Sequence, residues 1–184
     1  MKPSQELSKV EAQSNILSVY GTRTDFLNTF HVCNQIKFTN HTKECYFGKA
    51  PTLAELNAAY GSGTAEEFLT YQFVDLSEYC GVKEKLSANQ LFQLAQLVAE
   101  DYKYLKVTEI MLFCRQFKMA RYGLFYGSAD PMVISNSLLK FSAERKKIRA
   151  SRMIDDAKKQ VNDSRQNENT MSYEDYLKLK NKKP

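Results

Sequence analysis

The stretch that decides the fold is residues 105–141, LKVTEIMLFCRQFKMARYGLFYGSADPMVISNSLLKF. From Thr108 onward its apolar residues recur at steps of three and four, which is the pattern of a helix that buries one face. Gly123 is a suitable C-terminal cap, so this helix is predicted to end near Tyr122. The pair Asp130-Pro131 then predicts the start of a second helix. Two helices joined by a glycine-containing turn are therefore expected.

Basic side chains accompany the apolar pattern of the first helix. Arg115, Lys118 and Arg121 fall at three-residue steps, so we expect them close together on a face beside the apolar one. An open face of this kind can contact phosphates, while a tyrosine at the turn stacks on a base or sugar. The alternative is that the basic face is only solvated and the rings lock the two helices together. The predicted nucleic-acid-binding residues are Arg115, Lys118, Arg121, Tyr122, Tyr126 and Lys140.

Capping signals upstream predict further helices. Boxes of the form S/T-x-x-E/Q begin at Thr52, Thr64 and Ser87, and each opens a segment with one apolar face. We therefore predict a mainly α protein, a compact bundle of about five to six helices followed by a long charged C-terminal helix and tail. The expected organisation is an N-terminal arm (1–50), a helical core domain (51–145), and a basic charged helix, linker and short terminal helix (146–184).

Residues 22–50 leave two structures open, a helix or a short β-hairpin, because HVCNQIKF is rich in β-formers and precedes a polar turn. The same region contains the one metal-like pattern, H-x-C-x7-H-x3-C. Zinc requires four nitrogen or sulfur ligands, but neither pair has the two-residue gap that favours chelation. We predict no metal and no cofactor, with buried thiols beside surface histidines. The zinc alternative uses His31, Cys33, His41 and Cys45.

Composition and charge define the class of protein. The chain has 43% hydrophobic and 26% charged residues, which is ordinary globular composition. Residues 1–100 carry 8 basic and 11 acidic side chains, whereas residues 101–184 carry 18 and 10, giving the net charge of +5. This asymmetry suits a nucleic acid or an acidic partner. It is also typical of a solvated, lysine-rich tail.

Several classes are not indicated by the sequence. It has no nucleophile elbow, P-loop or dinucleotide fingerprint, so we predict that the protein is not an enzyme. No run of eighteen apolar residues and no signal-peptide layout is present, and a cytoplasmic location without membrane contact is expected. The four cysteines are scattered without a C-x-x-C pair, which favours reduced thiols.

The C-terminal end supports a competing hypothesis. After the polar linker 163–171, a short amphipathic segment could bind a protein partner, as a terminal mini-helix binds a groove. In that case the chain is a protein-binding adaptor or structural protein without nucleic-acid contact. The predicted partner-binding residues are Tyr173, Tyr176, Leu177 and Leu179.

Residues 45–56, the triplet 59–61, residues 105–110 and the block 117–131 resemble a helical family of gut-bacterial phages and mobile elements with no assigned function. The resemblance covers about residues 45–145 and is most specific in the RYG-x-FYG-x-x-DP block. It implies a small intracellular protein of mobile-element origin in a bacterial host, and it supplies no catalytic or ligand residues. A helical module with a basic tail is also similar to phage replisome organisers and helicase-loading accessory proteins. That likeness suggests a replication accessory role.

Overall fold

The computed structural model describes residues 13–80, 84–123 and 130–169, with side chains described as far as residue 164. The chain divides into two compact units, Met1–Ser142 and Ala143–Pro184. The helices are α1 (13–20 among the described residues), α2 (Arg23–Thr29), α3 (Gln35–Thr39), α4 (Thr42–Phe47), α5 (Leu53–Tyr60), α6 (Thr64–Tyr79), α7 (Ala88–Asp101), α8 (Val107–Lys118) and α9 (Pro131–Asn169), with a 3-10 turn at Val32–Asn34.

The protein is mainly α, as predicted, but the described part of the chain holds more helices than expected and no strand. The possible β-hairpin within residues 22–50 is wrong, because short helical segments occupy this range. Thr22 starts α2 with a capping box: its Oγ1 accepts from the Asp25 N–H at 3.2 Å, and the Asp25 carboxylate accepts from the Thr22 N–H at 2.9 Å. The Thr22 hydroxyl also donates to the Asp25 carboxylate at 2.7 Å, and this bond, together with the one from the Thr22 N–H, lowers the pKa of Asp25 below its usual value.

The predicted helix starts are correct where the threonine or serine is the N-cap residue, which precedes the first residue of the helix. The capping boxes at Thr52 and Ser87 are confirmed. The box at Thr64 is wrong, because Thr64 is already the first residue of α6 and its hydroxyl donates to Gly61 O at 2.8 Å. Gly63, with φ of +89°, is the N-cap instead. A left-handed glycine there replaces the side-chain cap that the pattern predicted.

Helix α8 is packed on several sides within the first unit. It contacts α3, α4 and α6, and residues 107–114 are all buried. A helix that is buried around its whole circumference is apolar in most directions, which fits the sequence VTEIMLFC. The expectation of one apolar face beside an open cationic face therefore fails for the first two turns of α8. Its basic residues are confined to the last turn.

The end of α8 lies earlier than predicted, before the glycine turn. Ala120 has a φ of +57°, in the left-handed region that favours glycine. Its N–H donates to Phe117 O at 2.9 Å. The next N–H, from Arg121, donates to Gln116 O at 3.1 Å. Together these bonds form a Schellman motif, so an alanine occupies the position that Gly123 was expected to fill.

The segments that precede α5 and α8 pair with one another. Leu53 N–H donates to Leu105 O at 2.9 Å, and Val107 N–H donates to Pro51 O at 3.0 Å. An isolated antiparallel bridge lies between these bonds. This paired segment fixes the two helix starts side by side and satisfies backbone groups that the helices cannot bond themselves.

Helix α9 begins as the sequence predicted. Asp130 Oδ1 accepts from the Met132 N–H at 2.8 Å, with Pro131 as the first helical residue. Phe141 is fully buried and packs edge-to-face on Phe113, with ring centroids 5.8 Å apart. The first turns of α9 thus contribute to the core of the first unit. Among the described residues, no helix has the length and apolar character needed to cross a membrane.

Candidate nucleic-acid interface

Lys118, the central residue of the predicted basic cluster, is bonded to other side chains of the first unit. Its ammonium pairs with the Asp75 carboxylate of α6 and donates to Gln35 Oε1 of α3 at 3.0 Å. It also lies 5.4 Å from the ring centroid of Tyr79. The Lys118 side chain is only 17% exposed. A lysine with these partners stabilises the packing of three helices and is not available to a phosphate.

Arg115 belongs to the same polar network. Its guanidinium donates to Thr39 Oγ1 at 3.1 Å and to Asn40 Oδ1 at 3.3 Å. Deeper in the unit, Gln35 Nε2 donates to Gln72 Oε1 at 2.7 Å. No side-chain nitrogen or oxygen buried within the described residues lacks a hydrogen-bond partner. The cations of α8 therefore complete a satisfied internal network.

The remaining residues of the predicted site are dispersed. Arg121 follows the end of α8 and is exposed. Tyr122 is half-buried, with its ring 5.8 Å from that of Phe113 and its hydroxyl donating to Gln116 Oε1 at 2.6 Å. Lys140 is exposed on α9, and Tyr126 lies outside the described residues. The structure thus brings Arg115 and Lys118 together, but around internal acceptors. The Tyr122 ring packs on the domain.

The zinc pattern does not assemble. His31 caps the 3-10 turn, where its Nδ1 accepts from the Cys33 N–H at 3.3 Å. Cys45 is buried, and its Sγ lies 3.3 Å from the Phe38 carbonyl oxygen. The described ranges contain no group of three or more His, Cys, Asp or Glu side chains that could hold a metal ion. His41 precedes α4 and is exposed.

Burial sets the chemistry of the thiols. It raises the pKa of Cys45 to about 11, with the Glu109 carboxylate adding to the effect. The pKa of Cys114 in α8 is raised well above its usual range by complete burial. These thiols stay protonated and unreactive near neutral pH. Cys33 is exposed.

A different part of the chain presents basic side chains outward. Residues 1–142 contain 14 basic and 14 acidic side chains, whereas residues 143–184 contain 12 and 7. The whole net charge of +5 therefore belongs to the second unit. Within it, residues 146–159 of α9 carry six basic and two acidic side chains, and we call this range the basic segment.

The lysine side chains of the basic segment are exposed to solvent. Lys146, Lys147, Lys158 and Lys159 are all exposed, and none has an ion-pair partner among the residues whose side chains are described. Arg152 differs, because its guanidinium pairs with Asp156 across one helical turn at 3.4 Å. Four exposed lysines that have no ion-pair partner among the described side chains are available to an external polyanion.

The basic segment was not among the predicted binding residues, although its signal was present in the sequence. The charge asymmetry indicates residues 101–184, whereas the three-residue spacing in α8 favours Arg115, Lys118 and Arg121. A charge count taken separately on either side of residue 142 would have assigned the excess to the C-terminal part. The partner-binding residues predicted in the tail, Tyr173, Tyr176, Leu177 and Leu179, lie outside the described residues.

The fold and the charge distribution define a mainly helical unit followed by a unit with a basic helix. The model of a family of unknown function, DUF6633, matches residues 85–184, which is more than half of the chain. The chain belongs to this family. No curated protein and no solved structure matches it. The matched range contains α7, α8 and the basic segment, whereas α1 to α6 precede it.

Proposed function

We propose that this protein is a non-enzymatic accessory module that binds nucleic acid through the basic segment of α9. The observation that carries the proposal is the concentration of the whole net charge in residues 143–184, with four exposed lysines in residues 146–159. The cations of α8, by contrast, are bonded within the first unit. The mobile-element setting and bacterial cytoplasm that the sequence resemblance implies remain part of this proposal.

The physical basis is electrostatic. Each phosphate that a lysine neutralises releases condensed counterions, and this release supplies most of the affinity of non-specific binding. Exposed lysines without an acidic partner do not have to break an existing ion pair before they meet a phosphate. With about four such contacts, the association constant should fall roughly 100-fold between 50 and 200 mM salt.

The test is a fluorescence-anisotropy titration of the full chain with labelled DNA and RNA, single-stranded and double-stranded, over that salt range. A variant with Lys146, Lys147, Lys158 and Lys159 each replaced by Gln should lose binding, because four phosphate contacts disappear while helix propensity is kept. The control removes the same charge from the first unit by replacing Lys37, Lys43, Lys49 and Lys103 with Gln, and it should bind within about threefold of the parent.

Two results would overturn the proposal. One is the absence of binding to every probe at low salt. The other is an equal loss in the two fourfold variants, since it would mean that total charge, and not the basic segment, determines the affinity. Circular dichroism of both variants checks that the helices are retained.

A second candidate function is a protein-binding adaptor, and one observation favours it. Ile154 and Val161 are 56% and 50% exposed, and with Ala157 they occupy positions three and four residues apart on α9. Such a stripe fits a partner helix. If Ile154→Lys with Val161→Lys abolishes capture of a protein partner while the fourfold α9 lysine variant retains it, the adaptor function is favoured.

A further inference from the structure

The form of the nucleic acid can be inferred from the shape of the basic segment, provided that the proposed function holds. Single-stranded nucleic acids are bound largely by stacking of bases on aromatic side chains. Residues 142–169 contain no Phe, Tyr or Trp. The part of α9 that carries the exposed lysines therefore has no ring on which a splayed base could stack, and Phe141, which precedes it, is fully buried. Its contacts with a nucleic acid must be made mainly to phosphates.

The lysines are arranged around the helix so that they can reach two rows of phosphates. At about 100° per residue, Lys147 and Lys158 differ by only about 20° around the axis and lie about 16 Å apart along it. Lys146 lies on one flank of this pair and Lys159 on the other, each about 100° away. A helix with cations along one side and on both flanks suits a groove whose two walls are phosphate rows.

The width of an α-helix, compared with the width of the major groove, distinguishes DNA duplexes from RNA duplexes. An α-helix with its side chains is about 10–12 Å across, and the major groove of B-form DNA is about 12 Å wide. The major groove of an A-form RNA duplex is too narrow and deep for side chains to read. A helical segment of about 20 Å, the length of residues 146–159, spans a little over half a turn of B-form DNA.

From these observations we infer that the basic segment binds B-form duplex DNA, lying in the major groove with its lysines on the phosphates of both strands. The contacts are to the backbone, so affinity depends weakly on sequence. One acidic side chain opposes this arrangement: Asp155 is exposed, and its helical position lies between those of Lys158 and Lys159. Asp156 points away from that side and pairs with Arg152.

The two neighbouring aspartates provide a matched test. Asp155→Asn removes a negative charge from the side that faces the phosphates, so duplex affinity should rise about threefold. Asp156→Asn makes the same chemical change on the far side and should leave the affinity within about 1.5-fold of the parent. The full chain is titrated with a DNA duplex of about 20 base pairs, the corresponding RNA duplex and the single DNA strand.

The expected order is DNA duplex at least about tenfold tighter than the RNA duplex and the single strand. Equal or tighter binding of either competitor overturns the duplex-DNA inference while leaving the proposed function intact. If Asp155→Asn and Asp156→Asn change the duplex affinity equally, the side of the helix assigned to face the DNA is wrong. The absence of binding to all three probes removes the proposed function itself, and this inference with it.

Discussion

Helices α8 and α9 both carry closely spaced basic side chains, and the two sets have different environments. Lys118 of α8 is paired with an aspartate 43 residues away in sequence, whereas Lys158 of α9 is exposed. Both sets are cations on a helix, so residue type alone does not distinguish the two cases. The comparison teaches that periodicity identifies which side chains share a face of a helix. What that face contacts depends on residues distant in sequence.

The largest difference in the free energy of unfolding is expected when Lys118 and Lys158 are each replaced by Met. Lys118→Met leaves the Asp75 carboxylate without its cation and Gln35 Oε1 without its donor, so the free energy of unfolding should fall by about 2 kcal/mol. Lys158→Met removes an exposed charge and should change it by less than about 0.5 kcal/mol. Urea denaturation followed by circular dichroism measures both. Equal effects would mean that the two lysines are in equivalent environments.

A smaller difference is expected at Arg115. Its two hydrogen bonds reach Thr39 and Asn40 in and after α3, and Arg115→Met should lower the free energy of unfolding by about 1 kcal/mol. Lys147→Met in α9 is the control and should lie within about 0.5 kcal/mol of the parent. In DNA titrations the ranking should reverse, with Lys147→Met weakening binding more than Arg115→Met. A stronger binding defect in the arginine variant would restore the α8 face as the interface.

The smallest effect concerns the backbone at the end of α8. Ala120→Gly relieves the left-handed conformation and should raise the free energy of unfolding by about 0.5–1 kcal/mol. The same substitution at Ala157, inside α9, should act in the opposite direction by reducing helix propensity, at a cost of about 1 kcal/mol or less. Thermal unfolding and helix content report the two effects. A loss of stability in Ala120→Gly would contradict the Schellman geometry.

Local signals in the sequence were sufficient for much of the fold. The caps at Thr52, Ser87 and Asp130 place helix starts correctly, because each cap involves residues two or three positions apart. The T-x-x-D pattern at Thr22 is equally local and marks the start of α2. The β-forming residues at 31–38 left helix and hairpin open, and the helical outcome shows that tertiary packing overrides β propensity in short segments.

The candidate site was harder to predict for a physical reason. The three-residue spacing placed Arg115 and Lys118 on one side of α8 correctly, but that side faces α3 and α6. Nothing in the sequence near α8 identifies Asp75 or Gln35 as partners. Net charge per unit, in contrast, requires no knowledge of contacts, and it identifies the C-terminal part directly once the boundary at residue 142 is known.

The paired segments ahead of α5 and α8 have a consequence for dissecting this protein. Leu53 and Pro51 precede the region that matches the family, while Leu105 and Val107 lie inside it. A fragment cut at the start of the match would keep α8 but discard α3, α4 and α6, the helices that cover it. The boundary of the family match is therefore not a boundary of cooperative folding, and truncation at residue 85 would expose the buried residues 107–114 of α8 to water.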